Sequence, residues 1–266
     1  MTDALAADPR AADPFAAFRL DGRTAVVTGA SAGLGAHFAR VLHGAGAHVV
    51  LAARRLDRVQ ALADELADRA TPIAVDVTVD EDLVALAELG AEIGGGAVDV
   101  LVNNAGIGAP QPAETEPIEL FRSVVDVNLN GLFRLTQLVV GPMIAAGRGS
   151  IVNVASMLGS VAAAPIKQAS YCASKGAVVN LSRELGCQWA RKGVRVNALA
   201  PGWFPSEMTE DMWSDESSSA FVRQHCPMGR RGELHELDGA LLFLASDAST
   251  YVTGSVLTVD GGWTAR

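Results

Sequence analysis

From Arg23 onward, short apolar or β-branched runs alternate with long stretches patterned for helix. That rhythm restricts the chain to folds in which helices cross between parallel strands. The strand runs are Thr24–Thr28, His48–Ala53, Pro72–Val75, Val98–Val102, Ser150–Ala155, Val194–Ala200 and Ser255–Val259. Helical patterning covers Gly33–Gly44, Leu56–Arg69, Glu81–Glu92, Pro117–Ala146, Ala169–Arg191 and Glu233–Ala245. Each step is long enough for a right-handed crossover, so the sheet is wound in two directions and covered on both faces. The expected fold class is α/β, a single doubly wound domain with a seven-stranded parallel sheet.

A chain of 266 residues, 49% hydrophobic and 19% charged, can fill one such core without dividing. Two segments fall outside the rhythm. Residues 1–19 repeat Ala-Ala-Asp-Pro and cannot bury enough apolar surface to fix a conformation, so a flexible N-terminal arm is expected before a domain spanning 20–266. Residues 203–227 mix Pro, Ser, Met and aromatic side chains, which suits a flap beside a site.

The net charge of −9 opposes a polyanion-binding surface, because nucleic-acid binding needs a basic patch to displace counterions. The start of the chain has acidic residues and prolines where an export signal has a basic start and an apolar run. No run approaches about 18 consecutive apolar residues, the usual minimum for a membrane span. A cytoplasmic protein with a small-molecule partner, and neither nucleic acid nor membrane, is expected. Cys172, Cys187 and Cys226, like the histidines, lack the spacing of a disulfide or metal site.

The first strand runs into Thr28-Gly29-Ala30-Ser31-Ala32-Gly33-Leu34-Gly35, a glycine-rich turn opening a helix. Missing side chains let backbone approach a pyrophosphate whose charge rests on the helix N-terminal amides, the arrangement of a Rossmann-type domain. Arg54, Asp76, Asn103 and Ser156 each stand at or just past the carboxyl end of a strand, and Pro201-Gly202 follows another. In an open parallel sheet those ends face one crevice. Tyr171 and Lys175 share a helix face, and an ammonium beside a phenol favours the phenolate, so Tyr171 is a candidate proton shuttle.

Together with Asn103-Asn-Ala-Gly106, Asn128 and Tyr171-Cys-Ala-Ser-Lys175, these elements resemble, in order, those of the classical short-chain dehydrogenases/reductases. Leu20-Asp-Gly and Asp260-Gly-Gly262 extend the likeness over nearly the whole chain. The resemblance implies hydride transfer between a nicotinamide cofactor and an alcohol or ketone. It assigns Tyr171 as general acid/base, Ser156 as a donor to the substrate oxygen, Lys175 to the nicotinamide ribose and Asn128 to a proton-relay water. Cofactor contacts are expected from Gly29, Ser31, Gly33, Leu34, Gly35, Arg54, Asp76, Val77, Asn103, Ala105, Gly106, Tyr171, Lys175, Pro201, Gly202, Phe204 and Ser206. The family also implies a homotetramer or homodimer.

One departure is a longer loop between Ser156 and Tyr171 than many members have, with Ser160 as the rival donor. Ser156 is preferred because it directly follows a strand. At the end of the second strand, where a carboxylate selects NAD(H), stands Ala53, followed by Arg54 and Arg55; NADP(H) is therefore favoured over NAD(H). Ser156, Met157, Leu158, Tyr171, Trp203, Met208, Met212 and Trp213, with Phe204 and Phe221 nearby, predict a largely apolar substrate pocket. The leading function is interconversion of a secondary alcohol and a ketone. Reduction of a carrier-linked 3-oxoacyl thioester is the runner-up, and a non-catalytic dinucleotide sensor the remote alternative.

Overall fold

The computed structural model describes residues 13–163, 165–209 and 216–266. The strands are β1 (Thr24–Thr28), β2 (His48–Ala53), β3 (Ala70–Ala74), β4 (Val100–Asn103), β5 (Gly149–Val154), β6 (Val194–Pro201) and β7 (Val256–Val259). They form one seven-stranded sheet in the order β3-β2-β1-β4-β5-β6-β7, and every pair is parallel. The doubly wound α/β expectation holds. The order reverses at β1, whose neighbours are β2 and β4, and the crevice past their carboxyl ends is where such sheets bind ligands.

The two-residue period of the strands divides the core between two faces. Val27, Val49, Leu51 and Val102 pack with Phe38 and Leu42 of α1 (Gly33–Gly44), Val59 and Leu62 of α2 (Leu56–Leu66) and Leu241 of the helix Asp238–Ala245. The alternate positions Val26, Val50, Leu101 and Ile151 pack with Leu83 and Leu86 of α3 (Asp80–Ile93) and with Leu135 and Met143 of the helix Leu132–Ala146.

Some boundaries differ from the sequence expectation. The second helix stops at Leu66 rather than Arg69, because Ala67 and Arg69 adopt positive φ (62° and 54°), and β3 starts two residues early, at Ala70. Pro72 sits within β3, which is tolerated because β3 is an edge strand. The long pattern 117–146 resolves into α4 (Ile118–Val125), a π-helical turn (Asp126–Gly131) and α5 (Leu132–Ala146). By length and mean hydropathy (1.2) the run Ile118–Ala146 could cross a membrane, yet it lays Leu135, Val139 and Met143 onto the sheet. The helix that carries Tyr171 and Lys175, α6, spans Ala169–Trp189. The flap segment contains a helix, α7 (Glu216–His225), and the last helix, α8, spans Asp238–Ala245. Of the expected N-terminal arm, residues 1–12 lie outside the described residues; Ala16–Phe18 form a 3₁₀ turn, and Leu20, whose N–H donates to the Ala45 carbonyl at 2.8 Å, is buried.

Candidate active site

A cavity of about 770 Å³ lies along the carboxyl ends of the strands. Its base is the glycine turn. Gly29 has φ +68°, and a Cβ there would stand 2.9 Å from Asn104 Nδ2; a Cβ on Gly35 would stand 2.2 Å from the Gly29 carbonyl oxygen. Backbone therefore packs where any side chain would intrude. No side chain caps the N-terminus of α1 at Ala32, so its first-turn amides face the cavity mouth as donors, the environment a pyrophosphate requires. Thr28 joins the two sides of the crevice: its Oγ1 accepts from the N–H groups of Asn104 and Ala105, both at 3.0 Å.

Most residues singled out in the sequence converge here. Gly29, Ser31, Gly33, Leu34, Gly35, Arg54, Asp76, Val77, Ala105, Gly106, Pro201, Gly202, Phe204 and Ser206 line the cavity, as do Ser156, Tyr171, Lys175 and Met208. Asp76 accepts from Thr78 N–H (3.0 Å) and Oγ1 (2.7 Å); the backbone donor is the main reason its carboxyl stays below the usual range.

At the far end, Ser156 follows β5 and its Oγ accepts the Leu158 N–H at 3.1 Å. That contact leaves the hydroxyl proton to be donated elsewhere, and the Ser156 side chain is close enough to the Tyr171 phenol to favour its ionised form. Ser160, the rival donor, is exposed and outside the cavity wall. Lys175 is buried, with Nζ 5.7 Å from the Tyr171 ring centroid and donating to the Val154 carbonyl at 2.7 Å. Burial brings its pKa down to about 8. The expectation that Lys175 would depress the Tyr171 pKa is not met: burial raises it, and the nearby Ser156 hydroxyl only partly opposes this. The lysine ammonium is committed to a backbone carbonyl rather than to the phenol oxygen.

Other expected residues stand apart from the cavity. Asn103 is buried in the sheet, its Nδ2 donating to Thr136 Oγ1 (3.0 Å) and Asn153 Oδ1 (2.9 Å); its neighbour Asn104 lines the cavity instead. Period-two alternation explains this, since consecutive strand-end residues face opposite ways. Asn128, in the π-helical turn, binds Ile107 twice: Oδ1 accepts from its N–H at 2.8 Å and Nδ2 donates to its carbonyl at 2.9 Å. The same Nδ2 donates to Ser174 Oγ at 3.0 Å. Its side chain thus positions the cavity wall and α6 and is itself outside the lining.

Met157, Leu158 and Trp203 were expected against substrate, but they belong to a buried cluster with Trp263 and Phe221, behind Tyr171. Trp203 and Trp263 meet edge to face with centroids 5.6 Å apart. Of the expected substrate set, Ser156, Tyr171 and Met208 line the cavity, as does the neighbouring Phe204, while Met212 and Trp213 lie outside the described residues. Sequence reasoning missed Glu207, Thr209 and the full role of Arg55. Arg55 donates from Nη2 to Ser31 Oγ at 2.9 Å and forms a two-pronged pair with Glu207, at 3.0 and 2.7 Å. Arg54 is exposed at the cavity edge. Thr209 Oγ1 accepts from Ser206 N–H at 3.0 Å and donates to the Phe204 carbonyl at 2.9 Å, fastening the start of the flap. Among the described residues no group of three or more His, Cys, Asp or Glu is placed to hold a metal ion.

Comparison with known proteins agrees with this geometry. A family model described as enoyl-(acyl carrier protein) reductase matches residues 29–264. The chain is 42% identical over 248 residues to a galactitol 2-dehydrogenase (L-tagatose-forming) of Cereibacter sphaeroides, covering 93% of this chain and 97% of that one. It is 41% identical over 250 residues to a gluconate 5-dehydrogenase of Gluconobacter oxydans, covering 93% and 96%. The crystal structure of a gluconate 5-dehydrogenase from Burkholderia cenocepacia in complex with NADP and tartrate superposes with a TM-score of 0.90 at 38% identity, covering 95% and 99%. The chain belongs to the short-chain dehydrogenase/reductase family and is an NAD(P)-dependent oxidoreductase that interconverts secondary alcohols and ketones.

Proposed function

We propose that Tyr171 carries the proton of the reaction, Ser156 holds the reacting oxygen, and Lys175 and the glycine turn hold the dinucleotide at the two ends of one cavity. The observation that carries this reading is that Ser156, Tyr171 and Lys175 share one wall of the cavity whose opposite end is the cradle of Gly29, Gly33 and Gly35. A bound nicotinamide supplies or accepts the hydride. The chain's own task is then proton transfer and charge stabilisation. In the reductive direction the Tyr171 phenol gives its proton to the developing alkoxide while Ser156 donates a hydrogen bond to the same oxygen. Asn128 acts from behind, holding Ile107 and α6 in register.

The substrate proposed is a small secondary alcohol or its ketone. Ile107, Gly108 and Met208 give the substrate end an apolar wall. The names of the relatives favour polyhydroxy compounds, such as galactitol and gluconate, within that class. NADP(H) is proposed as the preferred cofactor, because Ala53 leaves no carboxylate at the end of β2 and Arg54 and Arg55 follow it at the cavity edge. A cytoplasmic homotetramer or homodimer completes the reading. Reduction of carrier-linked acyl groups is the second reading, supported by the description of the matching family model.

The test is initial-rate kinetics on purified wild type, Tyr171→Phe and Arg54→Ala, with both cofactors, against polyols, sugar acids, cyclic and aromatic ketones and a 3-oxoacyl thioester. Tyr171→Phe is expected to lose about 10²–10⁴-fold in turnover at nearly unchanged cofactor affinity. Arg54→Ala is expected to weaken NADP(H) about 10- to 150-fold and to spare NAD(H). Near-normal turnover of the Tyr171 variant would refute the proton-transfer assignment. A thioester preference would install the second reading.

A further inference from the structure

The ion-pair cluster at the adenosine-side mouth of the cavity has a geometry that the proposed reaction does not use. Glu207 opens a short 3₁₀ turn (Glu207–Thr209) after β6, on the flap side, yet its carboxylate reaches across to the opposite rim. There it takes the Arg55 guanidinium through both oxygens and Arg58 Nη1 at 2.5 Å. Arg55 also spans to the glycine turn, its Nε and Nη2 donating to Ser31 Oγ at 3.2 and 2.9 Å. Three segments far apart in sequence, the β1–α1 turn, the start of α2 and the flap, are thus joined around one carboxylate. Since Arg55 follows the end of β2, Glu207 satisfies the fork that a phosphate on the adenosine ribose would otherwise fill.

We propose that Glu207 is a specificity-determining residue that acts through Arg55 and Arg58: its carboxylate competes with the 2′-phosphate of NADP(H) and thereby sets the ratio of NADP(H) to NAD(H) affinity. This rests on the reading that the basic residues after β2 face that phosphate. Electrostatics gives the sign. NADP(H) carries a phosphate that NAD(H) lacks, so a negative charge held on the same guanidinium groups penalises NADP(H) selectively. Exposure gives the size. The Arg55, Arg58 and Glu207 side chains are 40%, 47% and 50% exposed, so solvent screens each pair and the effect is moderate. Two half-exposed pairs correspond to about 3- to 20-fold in affinity ratio. Because the phosphate must share or take these guanidinium groups, its binding also loosens the flap's tie to α2.

The experiment is direct fluorescence titration of NADPH and NADH into wild type, Glu207→Gln and Glu207→Asp, with thermal unfolding of each protein as a folding control. Glu207→Gln is expected to raise the NADPH-to-NADH affinity ratio about 3- to 20-fold, and Glu207→Asp to return it toward wild type. A merely structural role for Glu207 moves both cofactors together and leaves the ratio where it was; that result, or a fall in the ratio, overturns the proposal. If Glu207→Gln does not fold, Glu207→Ala is read in the same way. The two readings fail separately. A wild type that prefers NADH, or equal losses for both cofactors in Arg54→Ala, removes the cofactor preference proposed above, while a raised ratio in Glu207→Gln still upholds the role of Glu207.

Discussion

Tyr171 and Lys175 stand four residues apart on one helix face, and the structure separates two effects that spacing alone merges. Proximity to a cation lowers a phenol pKa, whereas burial raises it. Here burial wins for Tyr171, while Lys175, enclosed beside it, falls to about 8. A raised folded-state value leaves Tyr171 a neutral phenol at neutral pH, ready to donate. Ketone reduction is therefore expected to stay level from about pH 6 to 7 and to decline as Lys175, which holds the dinucleotide, loses its charge around 8. Alcohol oxidation needs the phenolate and should rise with pH, by up to about tenfold per unit below the phenol's own pKa. Initial rates in both directions across that range check this, and an oxidation rate that falls as pH rises from 6 to 7, below the Lys175 titration, would contradict it. The residue types of the site were legible from motif order, because each motif meets a separate demand: close backbone approach, a strand-end donor, a helix-borne acid. The Arg55–Glu207 pair was not, since its members are joined only by the flap's path across the cavity.

At the scale of elements, periodicity predicts well wherever burial is one-sided or complete, as in β1, whose five residues are all buried. Its predictions slip where a local backbone state intervenes. Positive φ at Ala67 and Arg69 ended α2 early, and the π-helical turn at Asp126–Gly131 broke a pattern that reads as one helix. Such turns recur at functional sites, and this one places Asn128 between Ile107 and Ser174. The apolar richness of Met157, Leu158 and Trp203 misled for a different reason: composition does not distinguish a pocket wall from the core behind it. The glycine turn offers the sharpest element-scale prediction. In Gly35→Ala the new Cβ would lie 2.2 Å from the Gly29 oxygen and 2.5 Å from Asn104 Nδ2, so the turn must shift away from β4. Overpacking of this kind costs about 1–3 kcal/mol, a drop of several degrees in Tm for a chain of this size. Calorimetry should find that drop together with a loss of cofactor affinity measured by titration. An unchanged melting temperature with intact binding would show that the close approach is unimportant.

Considered whole, the molecule seals both faces of its sheet, and the apolar surface left outside falls partly on α4 and α5. Ile118 is 53% exposed and Phe133 37% exposed, on a helical run whose opposite side carries the buried Leu135, Val139 and Met143. Exposed apolar side chains on such a helix are costly only when they form a contiguous patch, and a patch of that kind marks an association surface. The proposed homotetramer or homodimer would cover it with the same helices of a second copy, since an isologous contact pairs one patch with itself. Phe133 also lies one residue after Leu132 and near the π-helical turn that holds Asn128, so an interface there would stiffen the wall behind the active site. Sedimentation velocity at micromolar concentration is expected to show a dimer or tetramer of the 27.6 kDa chain. Phe133→Glu places a carboxylate in the centre of the proposed contact, where an unpaired buried charge is strongly unfavourable, and should shift that species toward monomer. Because residue 133 points away from the core, the variant monomer should keep its secondary structure by circular dichroism. A wild type that sediments as a monomer, or a Phe133→Glu protein with an unchanged sedimentation coefficient, would place the contact elsewhere or remove it.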